Sequence, residues 1–536
     1  MTGNTTSGKL SIREKIAYAL GDASANIAWR GICAFLLIYY TDVFGLDPLA
    51  VGTLFFVVRL QDGISDVAMG AVCDATKSKY GKFRPWVLWT AIPLAVILSL
   101  TFTCPAGLGA TGKLVYAYVT YILFTLIYTA NNIPYGALMA VMTGDDKERA
   151  SIGSFRMAGA FAGGMVVQGL LLFLVSWFGE IPAVVDLYPV PGERDAYVLR
   201  VAAREDVRHA DIGTEHGLAT IAPVGSTNAP QPRVSVALEA ERAVVFRVAG
   251  EEGLTAKSVT LVNQDRGYSY AIYSLSVALA MCLFFTFFGT RERVAPPAAQ
   301  KGNLAADCAN LVRNGPWLVL LAVGLFFNVY NAVRQGVTVM YFTHYVHRVL
   351  LCGGFFTALM AASIAGALMT APLARKFGKR NLFIGSLFAA GGVNALFAFC
   401  APTDIGAIFA IGVVGEALAA IFPTLFFTML GDAADYSEFK FNRRATGLIY
   451  SAGSFATKFG GGLAGVIIGA VLAHYHYVGT DPATIPGAIP GIKLLMGVIP
   501  SAVAAGTAVL MFLYPLTDKR LSEISSELAR RRDDRK

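Results

Sequence analysis

The sequence predicts an all-α polytopic membrane protein with twelve transmembrane helices in two six-helix halves, interrupted by a small β-rich extracytoplasmic insertion. Three observations predict it. Of 536 residues, 55% are hydrophobic and 15% charged, with a net charge of +8; that balance suits a bilayer better than a water-filled surface. About a dozen apolar runs reach the roughly 20 residues a helix needs to cross the hydrocarbon. The polar connectors between them alternate in charge, and two that are six spans apart resemble each other.

In order, the apolar runs place spans near 16–41, 48–72, 85–104, 115–142, 152–178, 267–289, 315–345, 353–374, 382–401, 405–430, 446–474 and 490–515. Connectors after the second, fourth, eighth and tenth spans carry Lys77, Lys79, Lys82 and Arg84; Lys147 and Arg149; Arg375, Lys376, Lys379 and Arg380; and Lys440, Arg443 and Arg444. Those after the first, third, seventh and ninth carry almost none, so the positive-inside rule places both termini and the basic tail in the cytoplasm. The connectors DATKSKYGKFRP (74–85) and ARKFGKR (374–380) suggest two parallel halves. The expected organisation is therefore 1–178 plus 267–289 as the N-terminal half, 179–266 as the insertion, 290–314 as a Pro-bearing cytoplasmic linker, 315–515 as the C-terminal half and 516–536 as the tail. Alternating runs in the insertion, AYVLRVAA, VSVALEA and KSVTLV, read as short strands. They leave open whether the insertion is a lid, a docking surface or a tolerated extension. The 521–532 stretch is amphipathic and basic enough to lie on the inner leaflet.

Composition also excludes functions. The basic residues sit in short loops at one membrane face, which speaks against a nucleic-acid partner. Seven cysteines lie scattered, with neither a disulfide framework nor metal-ligand spacing. There is no nucleophile elbow or P-loop, and histidines such as His209 and His216 are unpaired in sequence, so neither an enzyme nor a cofactor is expected. The first residues are polar, and no cleavable signal is expected.

The charges inside the spans are the informative residues, because each ionised group at bilayer depth costs roughly 2.5–3.5 kcal/mol on insertion scales. Arg59, Asp62 and Asp66 in VVRLQDGISD (57–66) fall on one helical stripe. Two carboxylates one turn apart can clasp a small hard cation or share a proton. Asp22, Asn26 and Arg30 form a second stripe, on the first span. Asn131 and Asn132 precede Pro134, whose ring removes a backbone donor and predicts a disturbed helix suited to binding. Arg156 and Lys458 are lone cations that need anionic partners, with Asp62 and Asp66 the expected ones. Asn331 is expected to face the cavity and Arg334 to snorkel toward the interface. Trp29 and Tyr128 are expected as an aromatic stacking surface for a ligand. Asp74, Arg84, Asp145, Arg149, Asp432, Asp435, Glu438 and Arg444 are expected as charge pairs between the halves that can close the inner face and separate again.

Several long motifs in order resemble the glycoside-pentoside-hexuronide:cation symporters, a branch of the major facilitator superfamily. They are IYYTDVFGL (38–46), GTLFFVVRLQDGISD (52–66), DATKSKYGKFRPW (74–86), NNIPYGAL (131–138), DDKER and SFRM (145–157), YFTHYV (341–346) and GDAADYSEFKFNRRATGLIYSAGSFATK (431–458). The resemblance covers nearly the whole chain outside 179–266. It implies a cation site at Asp62 and Asp66 with the hydroxyl of Thr129; Ser65 stands where the family carries Asn, which leaves Na⁺ and H⁺ both open. Asn26 and Asn132 stand where galactoside-carrying members have sugar-binding Asp, and Gly136 where they have a stacking Trp. Arg156 and Lys458 match family positions in the fifth and eleventh helices. The stretches SIREKIAYALGD, GKLVYAYVTY and FLYPLTDK look most like xyloside and glucuronide permeases. The implied function is cation-coupled symport of a glycoside or oligosaccharide, a xyloside foremost, by alternating access in the inner membrane. Its partners are the sugar, the coupling Na⁺ or H⁺ and the lipid bilayer. Alternatives are a proton-coupled exporter of small amphipathic compounds and a non-transporting sugar sensor.

Overall fold

A computed structural model describes residues 10–105, 107–143, 145–214, 219–224, 230–293, 311–441 and 446–533. Helices α1 (Ile12–Ile38), α2 (Pro48–Ala75), α3 (Arg84–Thr101), α4 (Ala110–Met142), α5 (Asp146–Gly179) and α6 (Gln264–Gly289) form the first half. The second consists of α7 (Gly315–Tyr345), α8 (Leu351–Phe377), α9 (Lys379–Phe399), α10 (Ile405–Phe441), α11 (Thr446–His474) and α12 (Pro482–Met511), followed by a tail helix α13 (Asp518–Asp533). Ten of the twelve are long and apolar enough on composition alone to span a bilayer. The other two, α1 and α2, are as long but carry the charged stripes. Local chemistry sets the ends. Asp47 caps α2 by accepting from the Ala50 amide at 3.0 Å with Pro48 in the first turn, and Asn314 does the same for Trp317 at 3.1 Å ahead of α7. Helix α4 passes through Pro134 without a break, so the helix is not divided there, while the proline still leaves the Ala130 carbonyl without its helical donor.

Within the first half α1 lies against α5 and α6, and α3 against α4 and α6; in the second, α7 lies against α11 and α12. The halves meet along α2 with α11, α5 with α8, and α1 with α7. Helices α2 and α11 approach backbone to backbone: a Cβ on Gly52 would sit 2.5 Å from the Gly465 carbonyl oxygen, so only glycine fits there.

The first and seventh helices end alike. Tyr39–Val43 and Tyr341–Tyr345 are both π-turns, in the matching segments YYTDVFG and YFTHYVH, and each is followed by a positive-φ residue, Gly45 at +74° and His347 at +59°. Two halves with the same helix ending are what a parallel repeat requires.

Between α5 and α6 stand seven strands: β1 (Ala183–Pro189), β2 (Ala196–Ala203), β3 (Val207–Thr214), β4 (Thr220–Pro223), β5 (Arg233–Leu238), β6 (Ala243–Ala249) and β7 (Val259–Asn263). They pair antiparallel into two sheets, ordered β1-β2-β6-β4 and β5-β3-β7, around a core of its own that includes Leu199, Val201, Ile212, Ile221 and Phe246. The alternating runs of the insertion are thus strands with one face inward. Arg266 at the start of α6 anchors the module, reaching Glu205 and the Glu180 carbonyl at 2.5 Å each. Gln231 donates to the Pro482 carbonyl at 2.8 Å, so the module touches both halves. Residues 294–310, most of the expected linker, lie outside the described residues. Helix α13 turns Ile524 and Leu528 into the second half, and Arg531 donates to the Phe439 carbonyl at 3.1 Å; its apolar face is covered by protein instead of lying on a leaflet.

Candidate cation and substrate site

The stripe on α2 faces α4 and α11. The Thr129 hydroxyl lies 3.0 Å from Asp62 Oδ1 and 3.1 Å from Asp66 Oδ1, and Lys458 from the opposite half ion-pairs with Asp66 Oδ2 while lying 3.3 Å from Asp62 Oδ2. Arg59 Nη1 is 3.8 Å from Asp62 Oδ2. Thus two carboxylates are balanced by two cations in a site where the Asp62 side chain is 1% exposed and Asp66 24%. Thr129 has a single proton to donate and two carboxylate oxygens to satisfy, so the second contact needs a shared proton or a cation between the oxygens. Three hard oxygens converging from two helices suit Na⁺ or H⁺. Asp62 Oδ2 and Arg59 Nη1 are buried with no hydrogen-bond partner among the described residues. The Ser65 hydroxyl instead donates to the Asp62 carbonyl at 2.9 Å, within its own helix.

Beside this cluster, Trp29 and Tyr128 stack on each other, centroids 5.1 Å apart, and the Arg59 guanidinium lies 4.2 Å from the Trp29 ring centre. The expected sugar platform is therefore largely occupied by its own members. On α1, Asn26 donates to the Asp22 carbonyl at 2.9 Å and accepts from Arg30 Nε at 3.2 Å. Arg156 pairs with Asp22 at 3.5 Å, not with Asp62 or Asp66, because α5 packs on α1 while α2 packs on α11. Its guanidinium lies 5.7 Å from the Tyr135 ring, which stacks on Tyr18 at 4.7 Å. Asn131 is spent on structure, donating to Thr90 at 2.7 Å, whereas Asn132 is half-buried one residue further along α4.

Asn331 lines a small cavity of about 30 Å³ between the halves, with Arg30, Gln168, Arg334, Ser363 and Glu416. Arg334 does not snorkel: it is buried, accepts no water-facing role, and donates to the Tyr330 hydroxyl at 3.0 Å and to Glu416 at 3.3 Å, while Ser363 donates to the other Glu416 oxygen at 2.7 Å. Glu416 was missed in the sequence, although a lone acid in the tenth span and a lone Arg in the seventh each call for a partner.

At the module end the halves are fastened by a group the sequence reading also missed. Asp42 accepts from the Tyr477 hydroxyl at 2.6 Å and lies 2.7 Å from His344 Nε2, joining the π-turn after α1, the end of α7 and the segment just after α11. The expected gating residues lie toward the opposite end, where Arg84 donates to the Phe287 carbonyl at 2.8 Å, Arg149 to the Thr143 carbonyl at 3.2 Å, and Lys379 to Asp432 at 2.8 Å. Each of those three bonds lies within one half. Asp145, Asp435 and Glu438 sit in the same region; Arg444 and the side chain of Asp74 lie outside the described residues. If the Asp42 group holds the module end shut, Asp42→Ala raises labelling of an Asn331→Cys thiol by a membrane-impermeant maleimide applied from the module side several-fold. An unchanged labelling rate would remove the latch role.

A family model described as MFS/sugar transport protein matches residues 17–518. The chain is 29% identical to the inner membrane symporter YicJ of Escherichia coli over 529 residues, covering 97% of this chain and 95% of that one. It is 27% identical to the isoprimeverose transporter of Lactiplantibacillus pentosus, covering 94% and 89%. Among solved structures, a bacterial homologue of the human lysosomal transporter Spinster superposes with a TM-score of 0.63 at 12% identity, over 95% of this chain and 98% of that one. A helical fold in two six-helix halves and a family match over nearly the full length agree: the chain belongs to the MFS/sugar transport protein family, and is a multi-pass membrane transporter of the major facilitator type, not an enzyme.

Proposed function

We propose that the protein is a cation-coupled symporter of the inner membrane that carries a glycoside of the xyloside class, with both termini in the cytoplasm and the β module outside. The observation that carries this reading is the convergence of Asp62, Asp66 and Thr129 oxygens on one point, held by a lysine from the other half. A cation entering between the carboxylates competes with Lys458 for the same oxygens and so loosens the α2–α11 contact. Coupling follows because the ion and the halves then share one set of charges. Sugar is bound between the halves, by Asn26, Asn132 and the Asp22–Arg156 pair on the first half and by Asn331 on the second. The xyloside class rests on the isoprimeverose-transporting relative and on the amides at positions 26 and 132, which hydrogen-bond hydroxyls in both senses without demanding charge. With the module end latched, the cavity faces the cytoplasm, and the groups around Arg84, Arg149 and Asp432 pair across the halves in the reverse state.

The test is uptake of isoprimeverose, xylobiose, methyl β-D-xyloside and methyl β-D-glucuronide into right-side-out vesicles, with and without Na⁺, at two external pH values. Accumulation of at least one glycoside driven by a Na⁺ or H⁺ gradient is the expected result. Gradient-independent equilibration of all of them, or net efflux alone, would overturn the symport reading.

A further inference from the structure

Above the latched helix ends, beneath the β5-β3-β7 sheet, lies a chamber of about 590 Å³. Its size falls in the range of small-molecule pockets. It lies apart from the charged cluster of α2, which contributes none of its lining.

The roof is built by sheet register. Gly213 of β3 stands opposite Arg233 of β5 on one side and Thr260 of β7 on the other. The missing side chain leaves a notch: a Cβ there would meet the Thr260 hydroxyl at 3.4 Å and Arg233 Nε at 3.8 Å. Two residues earlier on β3, Asp211 lies 3.8 Å from Arg233, close enough to orient the guanidinium and too far for a tight bidentate pair. A donor fork, a carboxylate acceptor and a hydroxyl thus point into one notch.

The floor includes Thr343, in the π-turn of α7, and His344 beside it. Close by, His347 holds a left-handed backbone where the matching turn of the first half has Gly45. Burial, with His344 and Arg233 as neighbours, pushes its imidazole down to about 4, so at neutral pH it offers one donor and one acceptor. Tyr268 and Leu172 supply apolar wall.

We infer that this chamber is a second ligand site, a vestibule in which the β module captures a hydroxyl-rich saccharide directly above the closed end of the transport path. Alternating donors, acceptors and apolar surface match the alternating hydroxyls and C–H faces of a sugar ring. An ionic ligand would meet both charge signs at once, from Asp211 and Arg233. Because Gln231 ties the module to Pro482 of the second half, opening of the latched end must also move the roof, which would hand the captured sugar to the path below. The ligand class rests on the transport reading; the site itself does not.

Hydrogen exchange on the full-length protein in lipid nanodiscs, with isoprimeverose, xylobiose or methyl β-D-xyloside as probe and glycerol as control, tests this. At least one probe is expected to slow amide exchange in β3, β5 and β7 about threefold or more. The slowing is lost in Asp211→Asn and in Thr260→Val and kept in Asp62→Asn. Absence of slowing with every sugar, or slowing that survives both module variants, would overturn the vestibule. Uptake of the same sugars separates the two proposals: uptake without module protection removes the vestibule alone, and module protection without uptake of any sugar keeps the vestibule and removes the transport reading.

Discussion

Asp62→Asn abolishes gradient-driven accumulation while leaving sugar exchange across the membrane. The substitution keeps the size of the side chain and an oxygen for the Thr129 hydroxyl, 3.0 Å away, so the fold of α2 against α4 is preserved. What it removes is one of the two charges that make a cation worth more in the site than in water. A monovalent cation falling through 100 mV supplies about 2.3 kcal/mol, which at about 1.4 kcal/mol per decade is a concentration ratio of about 50. The expected loss is that whole factor. Sugar uptake under an imposed gradient should fall to simple equilibration, and counterflow, measured in parallel on the same vesicles, should persist. Asp66→Asn should behave in the same way, because Asp66 shares Thr129 and Lys458 with Asp62. Undiminished accumulation by both variants would take the coupling role away from α2.

The helices were legible because hydropathy and length suffice to find them. Even α1 and α2, diluted by charge, betray themselves by carrying that charge in stripes. The strands of the module were legible for the complementary reason, a period of two in AYVLRVAA and its neighbours. What a single chain does not reveal is which helix lies against which. Lys458 and Arg156 both called for an acid in the sequence, and Asp62 and Asp66 were the nearest candidates for both. Only the packing of α11 on α2 and of α5 on α1 separates them, giving Lys458 the α2 pair and Arg156 the lone Asp22. The same ignorance hid Arg334 and Glu416, each visible as an isolated charge, and turned a buried ion pair into an expected snorkel. The latch could have been approached from the repeat, since Asp42 and His344 hold equivalent places in YYTDVFG and YFTHYVH. Seeing that those places meet requires the pseudo-symmetric closure of the two halves.

Lys458→Met should lower stability, and adding Asp66→Asn should restore most of it. The cluster holds two carboxylates against Lys458 and Arg59, so removing the lysine leaves a net negative charge beside a side chain that is 1% exposed. Breaking a fully buried pair costs roughly 3–5 kcal/mol; with Lys458 and Asp66 each about a quarter exposed, about 2 kcal/mol is the appropriate scale. Neutralising Asp66 removes the surplus charge, and the double variant should return to within about 1 kcal/mol of the parent, a coupling that a double-mutant cycle of thermal or denaturant midpoints reads directly. A purely structural bridge gives the same cycle, so the decisive measurement is the ion. In the parent a cation must displace an ammonium from the oxygens it needs, whereas in Lys458→Met those oxygens await it. The coupling cation, Na⁺ at constant pH or H⁺ at constant Na⁺, should therefore stabilise Lys458→Met more than the parent and should stabilise Lys458→Met/Asp66→Asn least, following the dependence of stability on free ligand. Equal stabilisation of parent and Lys458→Met by both Na⁺ and H⁺ would mean that lysine and cation do not compete, and the link between ion entry and release of α11 from α2 would fail with it.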